Sequence, residues 1–123
     1  MKAIGKKRWA IPEGYIPSQS CGTDRALVSH ETACILNAGK KDAHITLTVF
    51  FANRDPVTYR VTVAAQRTLH LRFNDLKDPK PVPLDTDYSS VFESNVPIIV
   101  QHTRLDSRRA EISLLSTIAY SQE

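Results

Sequence analysis

Three consecutive stretches of this chain alternate apolar and polar side chains one for one, and that pattern leaves few folds open. Over residues 45–51, Ile45, Leu47, Val49 and Phe51 fall on one face and Thr46 and Thr48 on the other. Over residues 57–65, Val57, Tyr59, Val61, Val63 and Ala65 alternate with Thr58, Arg60 and Thr62. Over residues 67–74, Leu69, Leu71 and Phe73 alternate with Thr68, His70, Arg72 and Asn74. A strand sends successive side chains to opposite faces, so a period of two predicts half-buried strands of an antiparallel sheet. The threonines suit that setting, because β-branched side chains pack well on a pleated surface.

The punctuation between these stretches agrees. Residues 37–42 (Asn-Ala-Gly-Lys-Lys-Asp) form a turn, with Gly39 expected at a positive φ between strands 31–37 and 43–52. Residues 53–56 form a second turn. The chain around Ala64, Ala65 and Gln66 is too short for a helix, so the strands it joins read as a hairpin. Residues 76–88 carry Pro79, Pro81 and Pro83 among Asp78, Asp85 and Asp87. Proline lacks a backbone donor, so this segment is expected to be an ordered surface loop. Residues 96–100 and 112–120 are apolar on both faces, which implies a central position or cover by a second subunit. In a chain this small the second option points to an oligomer. Residues 112–120 also allow a short amphipathic helix, although Thr117, Ile118 and Tyr120 favour a strand. Seven or so short strands without a convincing helix predict an all-β fold, an antiparallel sandwich or jelly roll.

With 123 residues, the chain has the length of one domain, and folding at that size buries roughly two-thirds of the surface an unfolded chain exposes. Neither a disulfide nor a metal is needed to hold it. Cys21 and Cys34 match no metal spacing, and Cys34, in an apolar run, is expected to be a buried small hydrophobe. The start of the chain, Met1 to Arg8, has charge but no apolar run behind it, so no secretory signal is expected. No stretch approaches the roughly 20 apolar residues of a membrane span. A cytoplasmic location with reduced thiols follows. The net charge of +3 is spread over Lys6-Lys7-Arg8, Lys40-Lys41 and Arg108-Arg109, so weak DNA binding requires these clusters to converge in space.

Among the polar residues, His70, Arg72 and Asn74 are expected on one strand face. His102 and Arg104 extend the face of Ile98 and Val100, with Asp106 beyond. A strand end where an apolar face gives way to His, Arg and Asp suits the rim of a polar ligand site. An Arg104–Asp106 ion pair at a subunit contact accounts for the same residues. His44 beside a turn reads as solvated, and His30 and His70 read as structural or site residues alike. Three zinc ligands from His30, His70 and His102 are a further arrangement, although the close His-x-His pairs of such sites are absent. Trp9 and Tyr15, flanking Glu13, form either an aromatic rim for a sugar face or the lid of a small core. The chain has no Gly-x-Ser-x-Gly elbow and no phosphate-binding glycine loop. Binding rather than catalysis is expected, with no cofactor.

Taken together, six segments resemble the soluble sensory rhodopsin transducer family. They are residues 9–17 (Trp-Ala-Ile-Pro-Glu-Gly-Tyr-Ile-Pro), 29–39, 72–76, 85–87, 94–108 and 114–120, in order and covering nearly the whole chain. The resemblance implies a β-sandwich subunit in a cytoplasmic homotetramer that relays a signal from the cytoplasmic face of a sensory rhodopsin. It also implies that related chains serve as binding modules for a sugar or another small polar ligand, without enzymatic activity. Carried over by position, the candidate ligand residues are His30, Glu31, Asn74, Asp75, His102, Arg104 and Asp106. Residues 18–26 depart from the family pattern, and loops set partner choice.

Overall fold

Each alternating stretch becomes a strand: Ile45, Leu47, Val49, Val57, Tyr59, Val61 and Val63 are buried, and Leu69 and Leu71 are half-buried against them. The computed structural model describes residues 4–123; Met1, Lys2 and Ala3 of the basic start lie outside the described residues. Eight strands follow one another: β1 Lys6–Ile11, β2 His30–Asn37, β3 Ala43–Phe51, β4 Val57–Val63, β5 Arg67–Arg72, β6 Tyr88–Asp106, β7 Ser113–Ile118 and β8 Tyr120–Gln122. In β4 the alternation is complete: Val57, Tyr59, Val61 and Val63 are buried and every residue between them is exposed. Among the described residues, no helix is long and apolar enough to cross a membrane.

The organising element is β6, a strand of 19 residues. Its first half pairs antiparallel with β3 (Leu47 opposite Phe92) and with β1 (Trp9 opposite Phe92). β4 extends that sheet beyond β3 and β8 extends it beyond β1. The second half of β6 pairs instead with β2 (Ile35 opposite Val100) and β7 (His102 opposite Thr117), and β5 lies on the far side of β2. The ladder with β3 ends at Ser94 and that with β2 begins at Ile99. Pro97 sits in the gap between them, where a residue without an N–H breaks no ladder. Gly5 meets this seam with φ near 112°, and an added Cβ would lie 2.1 Å from the Ile98 carbonyl oxygen. Only glycine fits there. One continuous core joins the inner faces of both sheets, from Leu47, Val49, Tyr59 and Phe92 to Ala33, Ile35, Ile98 and Val100. The result is an antiparallel β-sandwich-like fold with a shared long strand.

Several local expectations need correction. The strands flanking Ala64, Ala65 and Gln66 form no hairpin: β4 pairs with β3 and β5 pairs with β2. The tight turn is a corner between sheets, and its positive φ of 56° falls on Gln66. Gly39 is not among the positive-φ glycines, which are Gly5 and Gly22. The neighbouring turn is held by a side chain. Asn37, fully buried, donates from Nδ2 to the carbonyls of Lys41 (2.8 Å) and Val63 (3.1 Å) and accepts from the Gly39 N–H (3.1 Å). An asparagine that mimics a backbone turn removes the need for a left-handed glycine. The alternation of β5 stops at Arg72, and Phe73–Asp75 is a short 3-10 turn that inserts Phe73 against Tyr88 and Phe92. Asn74 therefore leaves the face that His70 and Arg72 would share with it on a strand. The proline-rich stretch is the expected loop, anchored where Tyr59 donates to the Lys80 carbonyl at 2.7 Å.

The two doubly apolar stretches divide. Of residues 96–100, Ile98 and Val100 are buried inside this chain and Ile99 is half-buried on the outer face. Residues 113–118 are strand, not helix, and apart from buried Ala119 the stretch 112–120 remains bare: Leu114 is 68% exposed, Ile118 61% and Tyr120 64%. The registers place Leu36, Ile99, Leu105, Leu114 and Ile118 on one outward face of the β5–β2–β6–β7 sheet. Cys34 shares that face and is half-buried there, not in the core.

Candidate functional site

Glu31 is the second residue of β2, and the inward face of that strand carries it into the sandwich with no exposed surface. A buried carboxylate must be paired and hydrogen-bonded or it destabilises the fold. The register supplies the partners. Arg104 lies directly opposite on β6, and His102 is one inward position further along. Arg104 Nε donates to Glu31 Oε2 at 2.6 Å, and the Tyr15 N–H donates to the same oxygen at 2.9 Å. His102 Nε2 bonds Glu31 Oε1. Arg104 Nη2 reaches outward to Glu13 Oε1 at 2.9 Å. Two carboxylates thus share one guanidinium, and the segment before Tyr15 is strapped to the centre by its backbone and by Glu13. Behind Glu31, Asn74 accepts from the Glu31 N–H at 3.3 Å and donates to the Ser29 carbonyl at 3.1 Å.

The electrostatics follow from this packing. Burial opposes the charge on Arg104, but its hydrogen bonds to Glu13 and Glu31 outweigh that cost and hold its pKa above the ordinary value. The Tyr88 hydroxyl is enclosed beside these groups without a hydrogen-bond partner among the described residues. Burial first, and then the charge of Glu31, push the Tyr88 phenol well above its ordinary value. Gly14 seats the strap on that ring, since an added Cβ would fall 2.4 Å from a Tyr88 ring carbon.

Beside the centre opens a groove of about 600 Å³ between β1 with its strap (Ile11, Pro12, Glu13) and the β7–β8 ribbon (Leu115, Thr117, Ala119), with His102 in its wall. Pockets of this size hold small molecules, with apolar walls and a few polar groups that fix orientation.

The sequence candidates are sorted accordingly. Glu31, His102 and Arg104 meet at the centre, and Asn74 supports them. His30 and His70 lie on the opposite face of their strands, so the three-histidine zinc arrangement does not form. His30 Nδ1 instead donates to the Val28 carbonyl at 2.6 Å. Among the described residues, no group of three or more His, Cys, Asp or Glu is placed to hold a metal ion. Asp75 pairs with Arg25 at 2.6 Å on the exposed surface. Asp106 pairs with Arg108 at 2.6 Å, and not with Arg104. Hydrogen bonds to Arg25 and Arg108 hold these two carboxyls below the usual range. His44 is exposed. Trp9 is 7% exposed, its indole N–H bonded to the carbonyls of Lys6 (2.9 Å) and Ile98 (3.0 Å). It belongs to the core. Tyr15 enters the site through its backbone, while its ring lies under the Arg108 guanidinium at 5.6 Å.

Glu13 was legible only as the carboxylate between Trp9 and Tyr15, with no link to Arg104, because it lies in an aperiodic strap. Tyr88 and Tyr120 are the site residues that sequence reasoning passed over: Tyr88 opens a strand hidden behind the proline loop, and Tyr120 left a signal only as an aromatic in a segment without charge. The basic clusters occupy separate elements: β1, the turn after β2 and the loop after β6. Arg108 is neutralised by Asp106, and Lys6 lies 3.5 Å from Glu123.

A family profile, the Anabaena sensory rhodopsin transducer, matches residues 4–121. Among solved structures, the chain superposes on the Anabaena sensory rhodopsin transducer with a TM-score of 0.78 at 58% identity, over 89% of this chain and 96% of that one. It superposes on the crystal structure of Thermotoga maritima 1070 with a TM-score of 0.87 at 39% identity, over 97% of both chains. No curated protein matches the sequence.

Proposed function

The chain belongs to the Anabaena sensory rhodopsin transducer family, and from that premise we propose that it is a non-enzymatic cytoplasmic signalling adaptor working as a homo-oligomer, a tetramer by analogy. The observation that carries this reading is the bare apolar face of Leu36, Leu114 and Ile118, opposite the face that holds the polar centre. Large apolar side chains left this exposed on one sheet face, here interspersed with Gln101, Thr103 and Ser116, suit a protein contact site. The partner of the assembly, on this reading, is the cytoplasmic face of a sensory rhodopsin, as the name of the 58% identical relative suggests. Binding would relay a signal by favouring one of two states of the assembly, which requires different affinities for the two.

Light scattering at micromolar concentration tests the assembly; a monomer there sinks the adaptor reading. The receptor is tested by passing detergent-solubilised host membranes over immobilised chain. Retention of a retinal-absorbing band supports the proposal, and its absence removes the rhodopsin as partner. The groove favours a second reading, a binding module for a saccharide or similar small polar ligand. Such a ligand raises the unfolding temperature saturably, because it binds only the native state. A broad saccharide panel without any shift counts against it.

A further inference from the structure

We propose that the Glu13 carboxylate is a displaceable stand-in for the acidic group of a guest, so that the groove takes small molecules carrying a carboxylate, which replaces Glu13 on Arg104. The inference rests on the groove as a ligand site and names the charge of its guest.

The Arg104 guanidinium is held from two sides that differ in depth. Its Nε donates to Glu31 Oε2 at 2.6 Å, and the Glu31 side chain is only 1% exposed. Its Nη2 donates to Glu13 Oε1 at 2.9 Å, and the Glu13 side chain is 59% exposed. The inner pair is enclosed in the sandwich. The outer pair has one member largely in water, where solvent competes for the charge and the pair is weak. Among the described residues, that is the one hydrogen bond of the Glu13 side chain.

A guanidinium presents its donors as a fork that a planar carboxylate fills with two parallel bonds. Glu13 fills half of it. Arg104 Nη1 has no hydrogen-bond partner among the described residues. Nor is it one of the enclosed unpartnered atoms, which are Arg72 Nε, Tyr88 Oη and Ser90 Oγ, so it has surface of its own. A free carboxylate laid across Nη1 and Nη2 gains the bond that Glu13 leaves unmade. Exchange of one carboxylate for another keeps the charge against Arg104 unchanged. The strap also survives the exchange, because the Tyr15 N–H still donates to Glu31 at 2.9 Å.

The groove lies where the body of such a guest must go. Glu13 and His102 line it, and so does Leu115, which stands directly opposite Arg104 across the β6–β7 ladder. Its volume of about 600 Å³ leaves room for a body of monosaccharide size.

The test compares glucuronate with glucose, which differ in a carboxylate that replaces one hydroxymethyl group. Each is titrated into the full chain, followed by unfolding temperature and by the backbone amide signals of nitrogen-15 labelled protein. Glucuronate should raise the unfolding temperature saturably and move the signals of Glu13, Leu115 and Thr117. Glucose should bind about tenfold more weakly, lacking the charge-assisted pair of bonds. Glu13→Gln removes the competing charge, so it should tighten glucuronate about threefold and leave glucose unchanged. Arg104→Lys keeps the charge without the fork and should weaken glucuronate about tenfold. If that variant does not fold, Glu13→Gln at its exposed position still decides. Equal binding of the two sugars overturns the carboxylate requirement and spares the groove. Glucuronate bound no more tightly by Glu13→Gln than by wild type overturns the role of Glu13. Movement of Leu115 and Thr117 with glucose alone keeps the groove and rejects this inference. Silence of every groove signal with both sugars rejects the inference and counts against the groove as well.

Discussion

Removing the carboxylate of Glu31 leaves Arg104 and His102 facing an apolar interior, and stripping one member from a buried charge cluster costs about 3 to 5 kcal/mol. Arg104 retains Glu13 and some solvent, so Glu31→Ala should lose about 3 kcal/mol in urea denaturation. A loss below about 1 kcal/mol would mean that water enters and replaces the carboxylate. Tyr88 predicts the opposite outcome. Its hydroxyl is buried without a partner among the described residues, and an unsatisfied buried polar group costs about 1 to 3 kcal/mol. Tyr88→Phe should therefore be neutral or stabilising by about 1 kcal/mol. Its pH signature is separate. The folded chain holds the neutral phenol above its ordinary value of 10.0 while the unfolded chain ionises there. The unfolded state then binds fewer protons, so stability is full below that pH and falls as pH rises above it. In Tyr88→Phe that alkaline decline should flatten; an unchanged slope would assign it to other groups.

At the scale of elements, the corners between the sheets were the part least legible from residue order. A hairpin and an inter-sheet corner use the same three or four turn residues. Which one forms depends on whether the next strand finds a better apolar surface beside it or across from it. Ala64, Ala65 and Gln66 carry no local mark of that choice. The decision is enforced by Asn37, whose Nδ2 bonds the Val63 carbonyl at the end of β4, and by the Gln66 N–H donating to the Gly39 carbonyl at 3.0 Å. Asn37→Asp keeps the acceptor for Gly39 but deletes both donors and buries a charge. It should cost about 3 kcal/mol, read by denaturation, with faster hydrogen exchange at Gln66. A loss under about 1 kcal/mol would show that the corner stands without this side chain. The strands themselves were readable because their faces obey a two-residue period, and β4 and β3 follow it throughout.

For the whole molecule, residues that are apolar on both faces carried two meanings that only the fold could separate. Ile98 and Val100 are satisfied inside the chain, whereas Leu114 and Ile118 are left on its surface. If that face joins copies of the chain, Ile118→Lys should convert the assembly to monomer in light scattering. Within the monomer it should change stability by no more than about 0.5 kcal/mol, as expected of an exposed position. Survival of the wild-type assembly state in both Ile118→Lys and Leu114→Lys would place the contact elsewhere. The surface pairs Arg25–Asp75 and Arg108–Asp106 contribute little by comparison, since solvent screens ion pairs whose arginines are fully exposed. Their acidic members matter mainly in acid. Hydrogen bonds hold them below the usual carboxylate range, so that small contribution is present near neutrality and lost as pH falls through their folded values.

The residue order by itself determined which side chains share a face, where β2 to β5 begin and end to within a few positions, and that the fold is antiparallel β; of the 19-residue β6 it marked only residues 96–100. Those properties come from the two-residue repeat of an extended backbone and from where proline, glycine and asparagine interrupt it, all of which act over a few neighbours. Tertiary structure alone decided which strands lie side by side, that one strand serves both sheets, and that Glu31 is joined to Tyr15, His102 and Arg104. These are choices among distant segments competing for the same apolar surface and the same buried charge. Of the seven candidates named from sequence, four gather at the centre and three do not, because His30 faces outward and Asp75 and Asp106 find arginines on the surface. A local pattern can say that a carboxylate points inward; which groups meet it there depends on the whole chain closing around it.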